Sequence, residues 1–255
     1  MIIKQIPDRE YFPIDAFSNS AAKLILKSPM HYKANTFTGS TSTRVGTASH
    51  ARLLNERWDD EIKIWNGTKT LTSKAAQEFI ATNPGFTVIT QEESDKAKEL
   101  VEAQPEDVLS FFRHTQNEIA IIGEIDNVPV KCKVDAHSEK MKSFYDFKTT
   151  ESLEKFQRSF YDYGYHTQAA WYLKMAELAG LDVQQFLFYV VESSPPYCSK
   201  FVACSEQVLE DGKEDIEKAF EIYKQCYLTD DFSEGYTDDV LFIERPYWRR
   251  KKKID

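Results

Sequence analysis

Three segments near the middle of the chain decide the fold: Lys131-Cys-Lys-Val-Asp135, Tyr145-Asp-Phe-Lys-Thr-Thr150 and Tyr163-Gly-Tyr-His-Thr-Gln-Ala-Ala-Trp-Tyr172. The first two lie in apolar or alternating runs broken by polar residues, a pattern that predicts two strands of a hairpin. The third falls within a long helix that Ser152 should cap and that should end near Gly180. The order of the segments predicts a strand-strand-helix unit of an α/β domain.

Two carboxylates and an ammonium should meet at one end of this hairpin. Asp135 ends the second strand of a three-strand meander, and Asp146 lies near the end of the third strand after a tight return. Lys148 follows Asp146 by two residues and therefore points to the same face of the strand. Hard oxygen ligands suit Mg²⁺ or Mn²⁺, which keep waters and phosphate oxygens in their remaining positions. The pattern predicts phosphodiester hydrolysis, with Lys148 orienting or deprotonating the attacking water.

An Asp-x-Lys sequence on a strand edge is common by chance, with the aspartate capping a turn and the lysine in a surface ion pair. Two companions in the right chain order favour a functional site: Gly46-Thr-Ala-Ser-His50 upstream and Gln168-x-x-x-Tyr172 in the following helix. Gln168 and Tyr172 lie four residues apart and so share one helix face. A lone helical histidine is more often structural, and for Tyr172 alone a core role is as good an interpretation.

The three motifs together resemble those of the RecE/RecB-type exonucleases of the PD-(D/E)xK superfamily, above all the phage and prophage RecE-like enzymes. That family shows a G-x-x-x-H helix, a D…(D/E)-x-K hairpin and a following helix with Q-x-x-x-Y. The opening Ser18-Asn-Ser20 and Ser28-Pro-Met-His-Tyr32 are similar to its N-terminal helix. The resemblance implies a restriction-endonuclease-like α/β core, with a mixed central sheet flanked by helices and a helical N-terminal addition.

The resemblance also implies roles for individual residues. Metal ligands would be His50, Asp135, Asp146, the Phe147 backbone carbonyl and an acidic residue on the strand before the hairpin. Glu118 is the preferred candidate for that acidic residue, and Glu124, on the same sheet face by parity, is the alternative. Lys148 would be the catalytic lysine, while Gln168 and Tyr172 would line the site and touch the DNA end or bound waters.

The activity implied by the resemblance is that of a Mg²⁺-dependent DNA exonuclease, with Mn²⁺ as a substitute. It would degrade linear duplex DNA from 5′ to 3′ and leave single-stranded 3′ tails for homologous recombination. A ring-shaped homo-oligomer and a single-strand annealing protein as partner are implied in the same way. Basic residues that flank the His50 helix are candidates for contacts with DNA phosphates: Lys33, Arg44, Arg52 and Lys69.

The overall charge sets a limit on DNA binding. A formal net charge of -9 excludes attraction to nucleic acid or to an anionic membrane over the whole surface. Residues 1–57 contain eight basic and four acidic side chains, whereas residues 202–244 contain three basic and thirteen acidic ones. Phosphates must therefore be contacted locally. The basic run 248–253 near the carboxyl terminus is interpreted as a solvated tail rather than a phosphate site.

The sequence shows no targeting signal, so a cytoplasmic protein is expected, and the resemblance implies a bacterium or a phage-infected host cell. No apolar run approaches the roughly 20 residues of a membrane span, and the first residues lack the features of a secretory signal. The four cysteines contain no C-x-x-C pair. Buried free thiols are therefore favoured over a zinc or iron-sulfur site.

The remaining patterns predict one domain over 1–255, with a helical insertion at about 56–115 and a basic tail at 248–255. One helix is predicted to start after Ser18 or Ser20 and to stop before Pro29. Others are predicted over 46–55, 72–80 and 91–112, the last interrupted at Pro105. Strands are predicted over 119–122, 128–134, 143–147, 186–192 and 200–204, followed by an acidic helix over 205–227.

Two other functions stay open on the sequence. A structure-specific or restriction-like endonuclease of the same fold would use the same residues. A non-catalytic interaction module would use the acidic helix 205–227 to bind a basic partner, and its carboxylates would be structural. Iron-sulfur nucleases of the superfamily are disfavoured by the cysteine spacing.

Overall fold

The structure is a computed structural model and describes residues 1–34, 41–54, 58–235 and 243–244. The strands are β1 (Ile2–Gln5), β2 (Ile62–Trp65), β3 (Thr87–Thr90), β4 (Gln116–Ile125), β5 (Val128–Ser138), β6 (Ser143–Thr150), β7 (Gln185–Glu192) and β8 (Ser199–Ala203). The helices are α1 (Asp8–Tyr11), α2 (Asn19–Ile25), α3 (Pro29–Lys33), α4 (Thr41–Leu54), α5 (Trp58–Glu61), α6 (Lys74–Thr82), α7 (Gln91–Glu102), α8 (Glu106–Arg113), α9 (Leu153–Asp162), α10 (Tyr165–Leu178) and α11 (Glu206–Thr229). The predicted basic tail 248–255 lies outside the described residues.

The main sheet has six strands in the order β1-β4-β5-β6-β7-β8. Only the β6–β7 pair is parallel, and the other four pairs are antiparallel. A parallel pair needs a long crossover between its strands, which α9 and α10 provide. The mixed central sheet flanked by helices that the sequence predicts is confirmed.

Alternate residues of β6 and β7 pack against helices on opposite faces of this sheet, as the two-residue period of a strand requires. Phe144 and Phe188 belong to the larger core, which includes side chains of α2, α10 and α11. Tyr145 and Tyr189 belong to a second core with side chains of α4, α7 and α8. The sheet is thus buried on both sides between two helical layers.

The helix predicted over 152–180 is wrong as a single element, because the structure divides it into α9 and α10. Gly164 interrupts it with a φ of +62°, a left-handed conformation that glycine adopts without the steric cost of a Cβ atom. The periodic apolar residues on both sides of Gly164 made the two helices look continuous. The break lets α10 begin at Tyr165 in a new direction along the sheet.

The insertion at about 56–115 is not wholly helical, which corrects the prediction. It contains α5 to α8 and also a two-stranded parallel sheet in which Ile62 pairs with Thr87 and Trp65 with Thr90. The sequence analysis also missed β1, which pairs antiparallel with β4. Short apolar runs do not by themselves distinguish a strand from a helical segment. No helix in the described ranges is long and apolar enough to cross a membrane.

Candidate metal centre

The strands β5 and β6 separate where two aspartates face each other. Their backbone pairing runs from Ser138 and Ser143 to Ala136 and Tyr145 and ends there. In the same register the next opposed pair would be Asp135 and Asp146. The Phe147 N–H instead donates a 2.7 Å hydrogen bond to Oδ2 of Asp135. A side chain therefore replaces a ladder bond, which satisfies the backbone donor while leaving a gap between the strands.

The alternation of β5 changes phase at this gap. Val134 packs in the core beside α10, whereas Ala136 packs in the core beside α4, although the two residues have the same parity. The neighbouring strand is irregular at the same level, because Glu118 of β4 has a φ of +58°. Positive φ is uncommon in a residue with a side chain and marks local strain. The distortion brings Asp135 and Glu118 to the edge of the gap.

The helix α4 brings His50 to these carboxylates. Nε2 of His50 lies 3.1 Å from Oδ2 of Asp135 and 3.4 Å from Oε1 of Glu118. One turn earlier, a Cβ atom on Gly46 would lie only 3.3 Å from Oγ1 of Thr149 in β6. The glycine of the G-x-x-x-H sequence therefore allows α4 to approach β6 closely, and the histidine one turn later faces the gap.

The structure brings Glu118, and not Glu124, to His50. Glu118 is only 4% exposed and lies opposite Asp135, between the pairs Asn117–Ala136 and Ile119–Val134. Glu124 pairs with Pro129 at the other end of β4 and is exposed. The parity that the two glutamates share does not distinguish them, but their positions along the strand do.

Both oxygens of Asp146 have partners from different elements. This residue is 2% exposed. The Gln168 amide of α10 donates a 2.5 Å hydrogen bond to Oδ1, and the Lys148 ammonium lies 2.5 Å from Oδ2. Tyr172, one turn after Gln168, lines the same pocket and packs edge-to-face on Phe186 with 5.5 Å between ring centroids.

Burial and close charges shift the pKa values of these groups. Burial lowers the pKa of His50, but the Asp135 and Glu118 carboxylates raise it to about 10. Burial and the nearby Asp135 raise the pKa of Asp146 to about 6, against the opposing effect of Lys148. Burial lowers the pKa of Lys148, whereas Asp146 and Asp135 raise it above its usual value. Strongly perturbed groups in one cleft are typical of a functional site.

The donor atoms in this gap fit a divalent cation. Ligand atoms of His50, Glu118 and Asp135 all lie within 4.8 Å of one another. Two carboxylates and one imidazole are an acceptable set for Mn²⁺ or Mg²⁺, with waters or phosphate oxygens completing the shell. Among the described residues, two groups have metal-ligand spacing, one of a histidine and two carboxylates and one of three carboxylates. Neither group contains a cysteine.

The gap opens into a pocket of about 1040 Å³. This pocket shares some of its lining residues, such as Lys23 and Thr149, with an adjoining groove of about 2210 Å³. The groove is lined by several basic side chains: Lys23, Lys27, Lys69, Lys96, Lys155 and Arg158. Apart from Lys69, sequence reasoning missed them. The spacing of Lys155 and Arg158, three residues apart on the helix that follows the Asp-x-Lys strand, is a signal that could have found two of them.

Two of the four predicted phosphate contacts are paired with other protein groups. Arg44 lines the groove, but its guanidinium binds Glu93 of α7 at 2.7 Å. Arg52 donates to Ser94 at 3.0 Å and stacks over Trp58. Lys33 lines the pocket with its ammonium 5.3 Å from the Phe232 ring centroid. Glu93 and Ser94 of α7 are distant in sequence from the two arginines, so these contacts could not be predicted from the sequence.

Comparisons with solved structures and with curated proteins bear on the fold of this chain. A crystal structure of a protein from Eubacterium rectale, named as a putative exonuclease, has a TM-score of 0.60 at 13% identity, covering 87% of this chain and 88% of that one. A phage-related exonuclease from Haemophilus somnus 129PT has a TM-score of 0.36 at 14% identity, covering 88% and 99%. No curated protein matches the chain. The first likeness shows the fold and nothing more, and the second carries no argument.

The model of one protein family matches residues 17–235, which include all the site residues described above. Its description is PDDEXK-like domain of unknown function (DUF3799). The resemblance to the PD-(D/E)xK superfamily is thereby confirmed, and the chain belongs to this PDDEXK-like family.

Proposed function

We propose that this protein is a metal-dependent exonuclease that degrades linear double-stranded DNA. The observation that carries the proposal is the convergence of five side chains on one pocket that adjoins the basic groove: His50, Asp135, Asp146, Lys148 and Gln168. Fold alone does not establish an activity. Here the proposal is supported by a histidine, carboxylates and a lysine in one pocket, which are groups that metal-assisted phosphodiester hydrolysis can use.

The residues of the site divide into ligands and residues that hold them. His50, Asp135 and Asp146 would hold the metal ion, together with the Phe147 carbonyl, and Glu118 would face the same ion. Bound Mg²⁺ or Mn²⁺ supplies polarisation of a phosphoryl oxygen and a lowered pKa of bound water. Gln168 fixes the Asp146 carboxylate, and the Asp135 side chain is fixed by the Phe147 N–H. Lys148 would orient the attacking water and stabilise negative charge on the phosphate.

The basic groove explains how an acidic protein would bind DNA. Seven basic side chains lie along it, including Arg44 with its partner Glu93, so phosphates can be neutralised there despite the net charge of -9. Acidic residues such as Glu92 and Asp162 also line the groove and limit the affinity. Weak contact is compatible with an enzyme that must move along its substrate.

Polarity and biological context are carried over from the resemblance to RecE-like enzymes. On that basis we propose 5′ to 3′ digestion that leaves 3′ single-stranded tails for recombination. A ring of identical chains would keep the duplex in place by enclosing it, and a single-strand annealing protein would take up the tail. These parts of the proposal depend on no residue described above.

The experiment is digestion of linear duplex DNA labelled at the 5′ or the 3′ end, with Mg²⁺, with Mn²⁺ or with EDTA, beside a covalently closed plasmid. Early release of 5′ label with an intact plasmid is the expected result. Cut plasmid would instead indicate an endonuclease of the same fold. No cleavage with either metal would contradict the proposal and favour a non-catalytic interaction module.

A further inference from the structure

Lys133 lies beside the proposed metal centre but is neither a proposed ligand nor the proposed catalytic lysine. It precedes Asp135 by two residues on β5, and its backbone partner across the ladder is the small, fully buried Ala120. The absence of a large opposing side chain leaves room for the lysine to extend over β4. Its side chain is only 10% exposed, so its ammonium needs partners within the protein.

The partners of Lys133 are three carboxylates from three separate elements. Its Nζ lies 2.5 Å from Oδ1 of Asp8, at the start of α1, and 3.8 Å from Oε1 of Glu61, at the end of α5. It also contacts Oε2 of Glu118. Below, the Lys133 cluster means Lys133, Asp8, Glu61 and Glu118. The cluster connects the N-terminal segment and the insertion to the central sheet.

The three carboxylates of the cluster have the spacing of a cation site. One oxygen from each of Asp8, Glu61 and Glu118 lies within 4.8 Å of the others. The Glu61 side chain is 7% exposed, and its Oε1 is buried without a hydrogen-bond partner in the described part of the chain. A buried carboxylate oxygen without a donor is costly, and a close cation offsets that cost. Lys133 supplies one at 3.8 Å.

Glu118 belongs both to this cluster and to the proposed metal centre. Its Oε1 faces Nε2 of His50 at 3.4 Å, while its Oε2 contacts Lys133. The two oxygens are thus directed to opposite sides by two cationic partners. Glu118 also has a φ of +58°, a strained backbone conformation of the kind that clusters at functional sites.

We propose that Lys133 is the built-in cation of this cluster, where it takes the place that a second divalent ion would otherwise occupy and holds Glu118 toward His50. Lys133 is in this sense a positioning residue. The inference rests on the proposed function for the ion at His50, Asp135 and Asp146. It predicts that the protein binds one Mn²⁺ at the centre and that the Lys133 cluster excludes another.

The test is the number of Mn²⁺ ions bound per chain, measured from the free Mn²⁺ signal in electron paramagnetic resonance. We expect one additional ion in Lys133→Met relative to the wild-type protein and none in Lys133→Arg, which keeps a cation. Lys131→Met is the matched control. Lys131 is also buried on β5, but it donates to the backbone carbonyls of Tyr11, Phe12 and Ile14. Its loss should leave the number of bound ions unchanged.

A second variant assigns the additional ion to the cluster. Glu61→Gln in the Lys133→Met background should abolish the extra ion, because it removes one of the three carboxylates. A folded Lys133→Met protein that binds the same number of ions as the wild type would overturn the proposal. So would an extra ion that persists after Glu61→Gln.

The proposal stays testable if Lys133→Met does not fold. The double variant Lys133→Met/Glu61→Gln removes the buried cation together with one of the three carboxyl groups around it, so it should regain the circular dichroism spectrum and cooperative unfolding. Failure to regain them would contradict the assigned role. Failure of the proposed function can be told apart from failure of this inference. If the wild-type protein binds no ion and has no activity, the proposed function fails, but Lys133→Met should still bind one Mn²⁺ more than the wild type.

Discussion

Gln168 of α10 donates a 2.5 Å hydrogen bond to Oδ1 of Asp146 on β6, and both side chains are buried. The resemblance implied that Gln168 touches the DNA end or bound waters. In the structure it donates to the carboxylate whose other oxygen lies 2.5 Å from Lys148, and its contact with DNA or waters stays a prediction. This contact gives the glutamine of the Q-x-x-x-Y sequence a physical role, since it fixes a carboxylate that would otherwise lack a second donor.

Replacing Gln168 by leucine should lower both stability and metal affinity. The buried Oδ1 of Asp146 would lose its donor, at a cost of about 1–3 kcal/mol in the free energy of unfolding. Urea unfolding of the metal-free protein and Mn²⁺ titration measure the two effects. Tyr172→Phe is the control on the same helix face and should change metal affinity little. Unchanged Mn²⁺ affinity in Gln168→Leu would contradict the role assigned to this hydrogen bond.

Metal affinity should rise with pH because of His50. Its pKa in the metal-free protein is raised from 6.5 to about 10, so the imidazole carries a proton at neutral pH. A metal ion requires the neutral ring and must displace that proton. The affinity for Mn²⁺ should therefore increase about tenfold per pH unit between pH 7 and 8.5. His50→Gln should bind more weakly and with a shallower pH dependence, and equal slopes in the two proteins would count against a ligand role.

The helix α4 should lose its position if Gly46 gains a larger side chain. A Cβ atom on Gly46 would lie 3.3 Å from Oγ1 of Thr149, and the two methyl groups of valine would add to this crowding, so we expect Gly46→Val to move α4 away from β6 and displace His50. We expect weaker Mn²⁺ binding, measured by titration, and partial recovery in Gly46→Val/Thr149→Ala, which removes the opposing hydroxyl. If Gly46→Val binds Mn²⁺ as tightly as the wild type, the close approach of α4 to β6 does not explain why a glycine is needed at this position.

The groove should provide the salt-dependent part of DNA binding. Removing a phosphate contact lowers the slope of log affinity against log salt by about one. Lys155→Gln and Arg158→Gln should each weaken binding to duplex DNA and reduce this slope, as measured by fluorescence anisotropy at several salt concentrations. Lys174→Gln is a control. Lys174 of α10 does not line the groove, and its ammonium lies 3.7 Å from the carboxylate of Glu217 on α11. A slope that changes equally in all three variants would exclude the groove as the path of the DNA.

The core of the site was predictable from the sequence because its residues follow one another in a fixed order on neighbouring elements. Asp135, Asp146 and Lys148 are close because a hairpin brings them together, and strand parity places the last two on one face. The phase change at Asp135 was not predictable, since it depends on the strained backbone of Glu118 and on the separation of β5 from β6.

Contacts with distant segments were also beyond the sequence. Arg44 and Arg52 looked like free basic residues until α7 placed Glu93 and Ser94 beside them. The partners of Lys133 come from α1, α5 and β4, and no spacing in the sequence relates those elements. The break at Gly164 was missed because periodicity continues across it.

The central claim is that Lys148 and the carboxylates beside it hydrolyse DNA. The most direct measurement is release of acid-soluble nucleotides from linear duplex DNA by the wild type, by Lys148→Gln and by Lys200→Gln, a matched change at an exposed lysine of β8. We predict that the wild type and Lys200→Gln release nucleotides and that EDTA abolishes this release. In folded Lys148→Gln the rate of release should fall by at least about a hundredfold. Wild-type release by Lys148→Gln would contradict the account.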